Sequence, residues 1–102
     1  MQKKKVPLSL RKVPENVDIY VFGSYIISER PNDVDLIVIY DSKIYSGKNI
    51  YNVCLSLIKE IMEYSGLPVD ATYLSINEEI ETHFVELVKA ISINDVFTYD
   101  EV

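Results

Sequence analysis

Cysteine is all but missing from this chain of 102 residues, where Cys54 stands alone. A single thiol excludes an internal disulfide and a cysteine-based zinc site. Its place among apolar residues at helical spacing reads as a small buried hydrophobe. Histidine is equally scarce: His83 is the one imidazole, and at the border of an apolar helix stripe it reads as a structural residue in preference to a catalytic one. Positive charge is in deficit, with 10 Lys and Arg against 16 Asp and Glu and a net charge of −6. That balance excludes broad, non-specific nucleic-acid binding, which depends on neutralising phosphates. It leaves room for a nucleotide that arrives with its own cation. The basic cluster Lys3-Lys4-Lys5 with Arg11-Lys12 is interrupted by Pro7 and flanked by Pro14, and it reads as a solvated arm in preference to a phosphate- or RNA-binding one. No apolar run reaches the roughly 18 residues that span a bilayer, and no basic-then-apolar signal pattern opens the chain. The expectation is a cytoplasmic protein with no membrane partner. Internal repeats and low-complexity segments are lacking too.

What is present is an apolar fraction of 48% with 25% charged residues, enough for one compact domain of ordinary size. Residues 1–16, with two prolines and little periodicity, read as an extended arm, and residues 17–102 as a single domain. Val17–Phe22 reads as a strand that Gly23-Ser24 closes, with Ile26 and Ile27 in a short helical or irregular piece and Ser28–Asn32 in a polar loop. Asp33–Tyr40 is almost continuously apolar after its second aspartate, which predicts a central strand covered on both faces. A helix follows over about residues 48–64, burying Ile50, Val53, Cys54, Leu57, Ile58, Ile61 and Met62 at spacings of three and four, and Gly66 and Pro68 stop it. Val69–Leu74 reads as a third strand. Ser75-Ile76-Asn77-Glu78 matches a capping box and opens a second helix over about residues 78–91 with the buried stripe Ile80, Phe84, Leu87, Val88 and Ile91. Residues Asn94–Val102 mix aromatic and acidic side chains and suit a short strand or a partner-binding tail. The fold class is α/β, a small mixed sheet with helices packed on it.

Chemistry concentrates at three places. In a strand every second side chain shares a face, so Asp33-Val34-Asp35 projects two carboxylates together and turns Val34 to the core. Gly23-Ser24 ends the preceding strand with a turn at which backbone N–H groups approach a phosphate without a Cβ in the way. Asp70 opens the third strand. Taken singly, each has an ordinary reading: Asp33 and Asp35 as caps of a strand at a polar loop, and Asp70 as a turn residue after Pro68. Taken together, they suit a divalent-cation site for phosphoryl chemistry. Two cations about 3.5–4 Å apart neutralise a triphosphate and an attacking oxygen at once, and Mg²⁺ takes hard oxygen ligands while keeping several waters.

The stretches Val21-Phe22-Gly23-Ser24-Tyr25 and Asn32-Asp33-Val34-Asp35-Leu36-Ile37-Val38, followed by Asp70, resemble the polymerase-β-like nucleotidyltransferase superfamily. Within it they are most similar to the minimal nucleotidyltransferases, short prokaryotic proteins often encoded beside a helical HEPN partner. The resemblance covers about residues 17–75. It implies a nucleotidyltransferase core with Asp33, Asp35 and Asp70 as catalytic residues and metal ligands, and with Gly23 and Ser24 binding the nucleotide. It also implies Mg²⁺, or Mn²⁺ in its place, and an NTP, with ATP expected, as donor of an NMP to a hydroxyl. The acceptor would lie on a HEPN-like protein partner, as in toxin–antitoxin pairs, with that partner or a homo-oligomer completing the site; nucleic acid is not expected as the main partner. The Arg-Gly that many minimal members carry after Gly-Ser-Tyr is replaced here by Ile26-Ile27, so Arg30 is the remaining loop arginine for a phosphate. A reading from another class stands beside the enzyme: a non-catalytic antitoxin-like module that neutralises its partner by occlusion. The toprim fold, which also uses Asp-x-Asp, places its pair after an apolar strand, whereas here the pair precedes Leu36–Tyr40.

Overall fold

The computed structural model describes residues 4–6 and 13–99. Its elements run β1 (Lys4–Val6), β2 (Val17–Phe22), α1 (Ser24–Ile27), β3 (Val34–Tyr40), α2 (Gly47–Ser65), β4 (Val69–Ser75), α3 (Ile76–Thr82), α4 (Phe84–Leu87), β5 (Ile91–Ser92), α5 (Ile93–Val96) and β6 (Phe97–Tyr99). The four-stranded sheet has the order β4-β3-β2-β5, and β1 pairs with β6 in a separate two-stranded ribbon. β2 and β3 are antiparallel from Val17↔Tyr40 to Phe22↔Asp35. β3 and β4 are parallel from Val34↔Val69 to Tyr40↔Ser75, the crossover being α2, as a parallel pair requires. This is the mixed α/β sheet expected from the sequence.

The strand alternation decides what each face holds. Val34, Leu36 and Val38 of β3 join Val17, Ile19 and Val21 of β2 in a core with Ile50, Cys54, Leu57, Ile58 and Ile61 of α2. The other face of β3 is covered as well, since Ile37 and Ile39 are buried, and this explains why the strand is apolar at nearly every position. There α4 brings Phe84 edge-to-face onto Phe22 of β2, with ring centroids 5.7 Å apart. Helix α2 begins at Ser46, whose hydroxyl accepts the Asn49 N–H at 3.1 Å. It ends at Gly66, left-handed at φ 69°, whose N–H donates to the Met62 carbonyl. At the far end of the chain Phe97, fully buried, packs its ring against Tyr25 and Tyr64.

Two helix expectations need correction. The single helix over about residues 78–91 is two short ones, broken at His83, which adopts a left-handed φ of 51°. Ile80 and Leu87, expected in its buried stripe, are 62% and 73% exposed. Ile91 leaves the helix altogether to pair with Val21. The break turns Phe84 under the sheet, and Glu79 stabilises it by accepting the Val85 N–H at 3.1 Å. On α2, Val53 and Met62 lie outside the buried face, at 42% and 43% exposure, because the sheet covers only the narrower stripe centred on Cys54 and Ile61. Asp33 sits just before β3 instead of opening it. His83 is exposed and Cys54 buried. Lys4–Val6, in the segment read as an arm, forms β1, and Phe97–Tyr99, within the stretch that suits a short strand or a partner-binding tail, forms β6. The other residues of the basic cluster, Lys3, Arg11 and Lys12, lie outside the described residues. Among the described residues no helix is long and apolar enough to cross a membrane.

Candidate metal centre

The β3–β4 register sets Asp35 directly beside Asp70 on adjacent parallel strands. Parallel neighbours in register send their side chains to the same face, so the two carboxylates meet without any special turn. Asp33, two residues earlier, joins them from the end of the loop. One carboxylate oxygen from each of Asp33, Asp35 and Asp70 lies within 4.8 Å of the others. Asp33 and Asp35 are half-buried and Asp70 is exposed, so the cluster is open to solvent on one side. The start of β3 is held to the start of β4 by the Val34 N–H, which donates to the Pro68 carbonyl at 2.9 Å.

Gly23 closes the site from the β2 side. Its φ of 78° and ψ of −153° lie in a region that only glycine occupies readily. A Cβ there would collide with the Asp35 Oδ2. The glycine therefore serves two purposes, allowing the turn and leaving room for the carboxylate. Gly23→Ala is expected to destabilise the fold by at least about 1–3 kcal/mol of backbone strain and to displace Asp35. Denaturant unfolding with a parallel divalent-ion titration checks both effects. Ser24 is tied to the same loop: its hydroxyl donates to Asp33 Oδ1 and accepts the Asn32 N–H, both at 3.4 Å. Those long, weak contacts leave the hydroxyl able to exchange them for another acceptor.

Partial burial, then the neighbouring charges of Asp33 and Asp70, push the Asp35 carboxyl above its ordinary pKa. The neighbouring negative charges disfavour the Asp35 carboxylate, and a hard divalent cation relieves that repulsion with oxygen ligands. The donor set thus fits Mg²⁺ or Mn²⁺ in kind and spacing. Burial pushes the Cys54 thiol up to about 11, which keeps it protonated and unreactive.

All five residues expected at the site are brought to one end of the sheet: Gly23 and Ser24 follow β2, Asp33 immediately precedes β3, and Asp35 and Asp70 are the second residues of β3 and β4. Arg30 is exposed in the connecting loop, its backbone N–H donating to the Ser28 hydroxyl at 3.1 Å. Sequence reasoning missed the cleft of about 470 Å³ at the same end of the sheet, lined by Tyr25, Pro31, Tyr64, Ser65 and Leu67. Its residues come from α1, α2 and two loops, and no periodicity links them. None of the three aspartates lines it, so the acids occupy an open shelf next to the turn and the cleft belongs to the α2 side. No family model, no curated protein and no solved structure matches this chain.

Proposed function

We propose that the chain is a divalent-cation-dependent nucleotidyltransferase that moves an NMP, in the first instance AMP from ATP, to a hydroxyl on a partner protein. The observation that carries this reading is the meeting of one carboxylate oxygen each from Asp33, Asp35 and Asp70 within 4.8 Å, beside a glycine at which a Cβ would clash with the Asp35 carboxylate. Bound cations would neutralise the triphosphate and lower the pKa of the acceptor hydroxyl. Asp33 and Asp35 would hold the cation carried by the triphosphate. Asp70, the exposed member, would hold the acceptor side and take the hydroxyl proton on a carboxylate oxygen. The acceptor oxygen then bonds to the α-phosphorus as the bond to the β-phosphate oxygen breaks, and pyrophosphate leaves. The Gly23-Ser24 turn steadies the terminal phosphates through backbone N–H groups and the Ser24 hydroxyl. The open shelf suits a macromolecular acceptor, which supplies the wall that this small chain lacks. Ile27, 85% exposed next to that turn, offers an apolar contact to such a partner.

Incubation of the protein with ATP labelled at the α-phosphate, Mg²⁺ and a candidate HEPN-like partner is expected to label the partner. Asp33→Asn combined with Asp35→Asn is expected to abolish the label. If the wild-type chain transfers no label and the double variant still neutralises the partner, the occlusion module replaces the enzyme.

A further inference from the structure

We infer that β4 is a dimerisation edge, at which two copies of this chain pair antiparallel about a two-fold axis through Thr72 and join their sheets into one. The four-stranded sheet ends on one side in β5, only two residues long, and on the other in β4, seven residues long. A long exposed edge is normally blunted by lysine, proline or a bulge. β4 has none of these between Val69 and Ser75, and its single charge is Asp70, in register beside Asp35: the pairing with β3 runs unbroken, and the sequence is Val-Asp-Ala-Thr-Tyr-Leu-Ser.

The hydrogen-bond parity follows from one contact. Because the Val34 N–H donates to the Pro68 carbonyl, the even-numbered residues of β4 bond inward to β3, and Val69, Ala71, Tyr73 and Ser75 present their backbone groups outward. An antiparallel two-fold at Thr72 matches each outward residue with another: Ala71 of one copy with Tyr73 of the other, and Val69 with Ser75. The side chains agree with that register. Ala71 leaves room for the large Tyr73, Asp70 meets Leu74 instead of a second carboxylate, and Thr72 meets Thr72, a favourable cross-strand pair.

A ladder alone falls short of the roughly 800 Å² per partner of a standard interface, and α2 supplies the remainder. Tyr51 approaches Tyr73 with ring centroids 6.1 Å apart, which fixes the side of α2 that overlooks β4. Leu55 and Met62 continue that side at helical spacing, with Tyr51 and Met62 51% and 43% exposed. The two-fold places both copies of α2 on the same face of the joined sheet, so these stripes face each other. Each copy carries a net charge of −6, so association is expected to tighten as salt rises.

The test needs no ligand: analytical ultracentrifugation of the full chain over a concentration series, with three variants at the β4 edge and one control on α2. Ala71→Pro removes an outward N–H without touching the bonds to β3, and Thr72→Lys sets like charges face to face at the axis. Each is expected to weaken the dimer by at least about tenfold while far-UV circular dichroism stays unchanged. Thr72→Cys is expected to form an intermolecular disulfide on mild oxidation, since facing residues of a non-hydrogen-bonded antiparallel pair have Cα atoms about 4.5 Å apart. Ser56→Cys, on the outer side of α2, serves as the control, and buried Cys54 does not interfere. A wild-type monomer at every concentration, a dimer that survives both Ala71→Pro and Thr72→Lys, or cross-linking no faster than in the control overturns the inference.

Discussion

Asp35→Asn is expected to raise the melting temperature of the metal-free protein at neutral pH and to abolish the further rise that Mg²⁺ gives the wild type. In the folded chain, burial and the charges of Asp33 and Asp70 hold the Asp35 carboxyl above its ordinary pKa. The folded state therefore binds that proton more tightly than the unfolded state does. Stability from this group is present in acid, below the ordinary carboxylate pKa, and is lost as pH rises through the raised folded value. At neutral pH the full penalty applies, and the asparagine amide removes it. A cation bound by the three aspartates reverses the sign, because it favours the charged form. At a hundred times its dissociation constant, a ligand confined to the folded state adds about 2.7 kcal/mol. The order of stability between variant and wild type should thus invert on adding Mg²⁺, and the advantage of the variant without metal should vanish in acid. Differential scanning calorimetry with EDTA and with Mg²⁺ reads both. An equal shift of the two proteins by Mg²⁺ would remove the cation site.

Phe97→Ala is expected to remove a large share of the stability of the fold. Phe97 is among the largest fully buried side chains, 1% exposed, and its ring packs on Tyr25 of α1 and Tyr64 of α2. Truncating a buried phenylalanine costs about 3–5 kcal/mol, against a total of about 5–15 kcal/mol for a domain. The loss falls where β6 meets the body of the fold, so β1, which pairs with β6, is expected to detach with it. Because Tyr25 directly follows Ser24, the damage should also loosen the turn at the site. Urea unfolding measures the stability loss. Amide exchange distinguishes a local release of β1 and β6 from a global weakening. Phe97→Leu, which keeps most of the apolar volume, should recover more than half of the loss.

The strands were the most legible elements. Val17–Phe22 is bounded by Asn16 and Gly23, and Asp33–Tyr40 is too apolar for anything but a doubly covered strand, so local pattern and tertiary environment agree there. The acidic site was legible for the same reason. Period-two alternation puts Asp33 and Asp35 on one face whatever the surroundings, and glycine alone suits the turn at position 23. The apolar spacing of residues 78–91 fits one helix as well as it fits two short helices and a strand, so the sequence alone does not separate them. Phe84 gains more by reaching Phe22, and Ile91 by pairing with Val21, than either does in a continuous stripe. Propensity gave way to packing.

By itself, the sequence determined the α/β class, the succession of the main strands along the chain and the pairing of two carboxylates beside one strand, because these depend on periodicity and on single-residue backbone preferences. The tertiary structure decided that Asp70 stands beside Asp35, that the Gly23 turn abuts the Asp35 carboxylate, that tyrosines from α1 and α2 line one cleft, and which strand is left as an open edge. Those facts depend on strand order and register, which arise from contacts between residues far apart in the chain and leave no local trace in it.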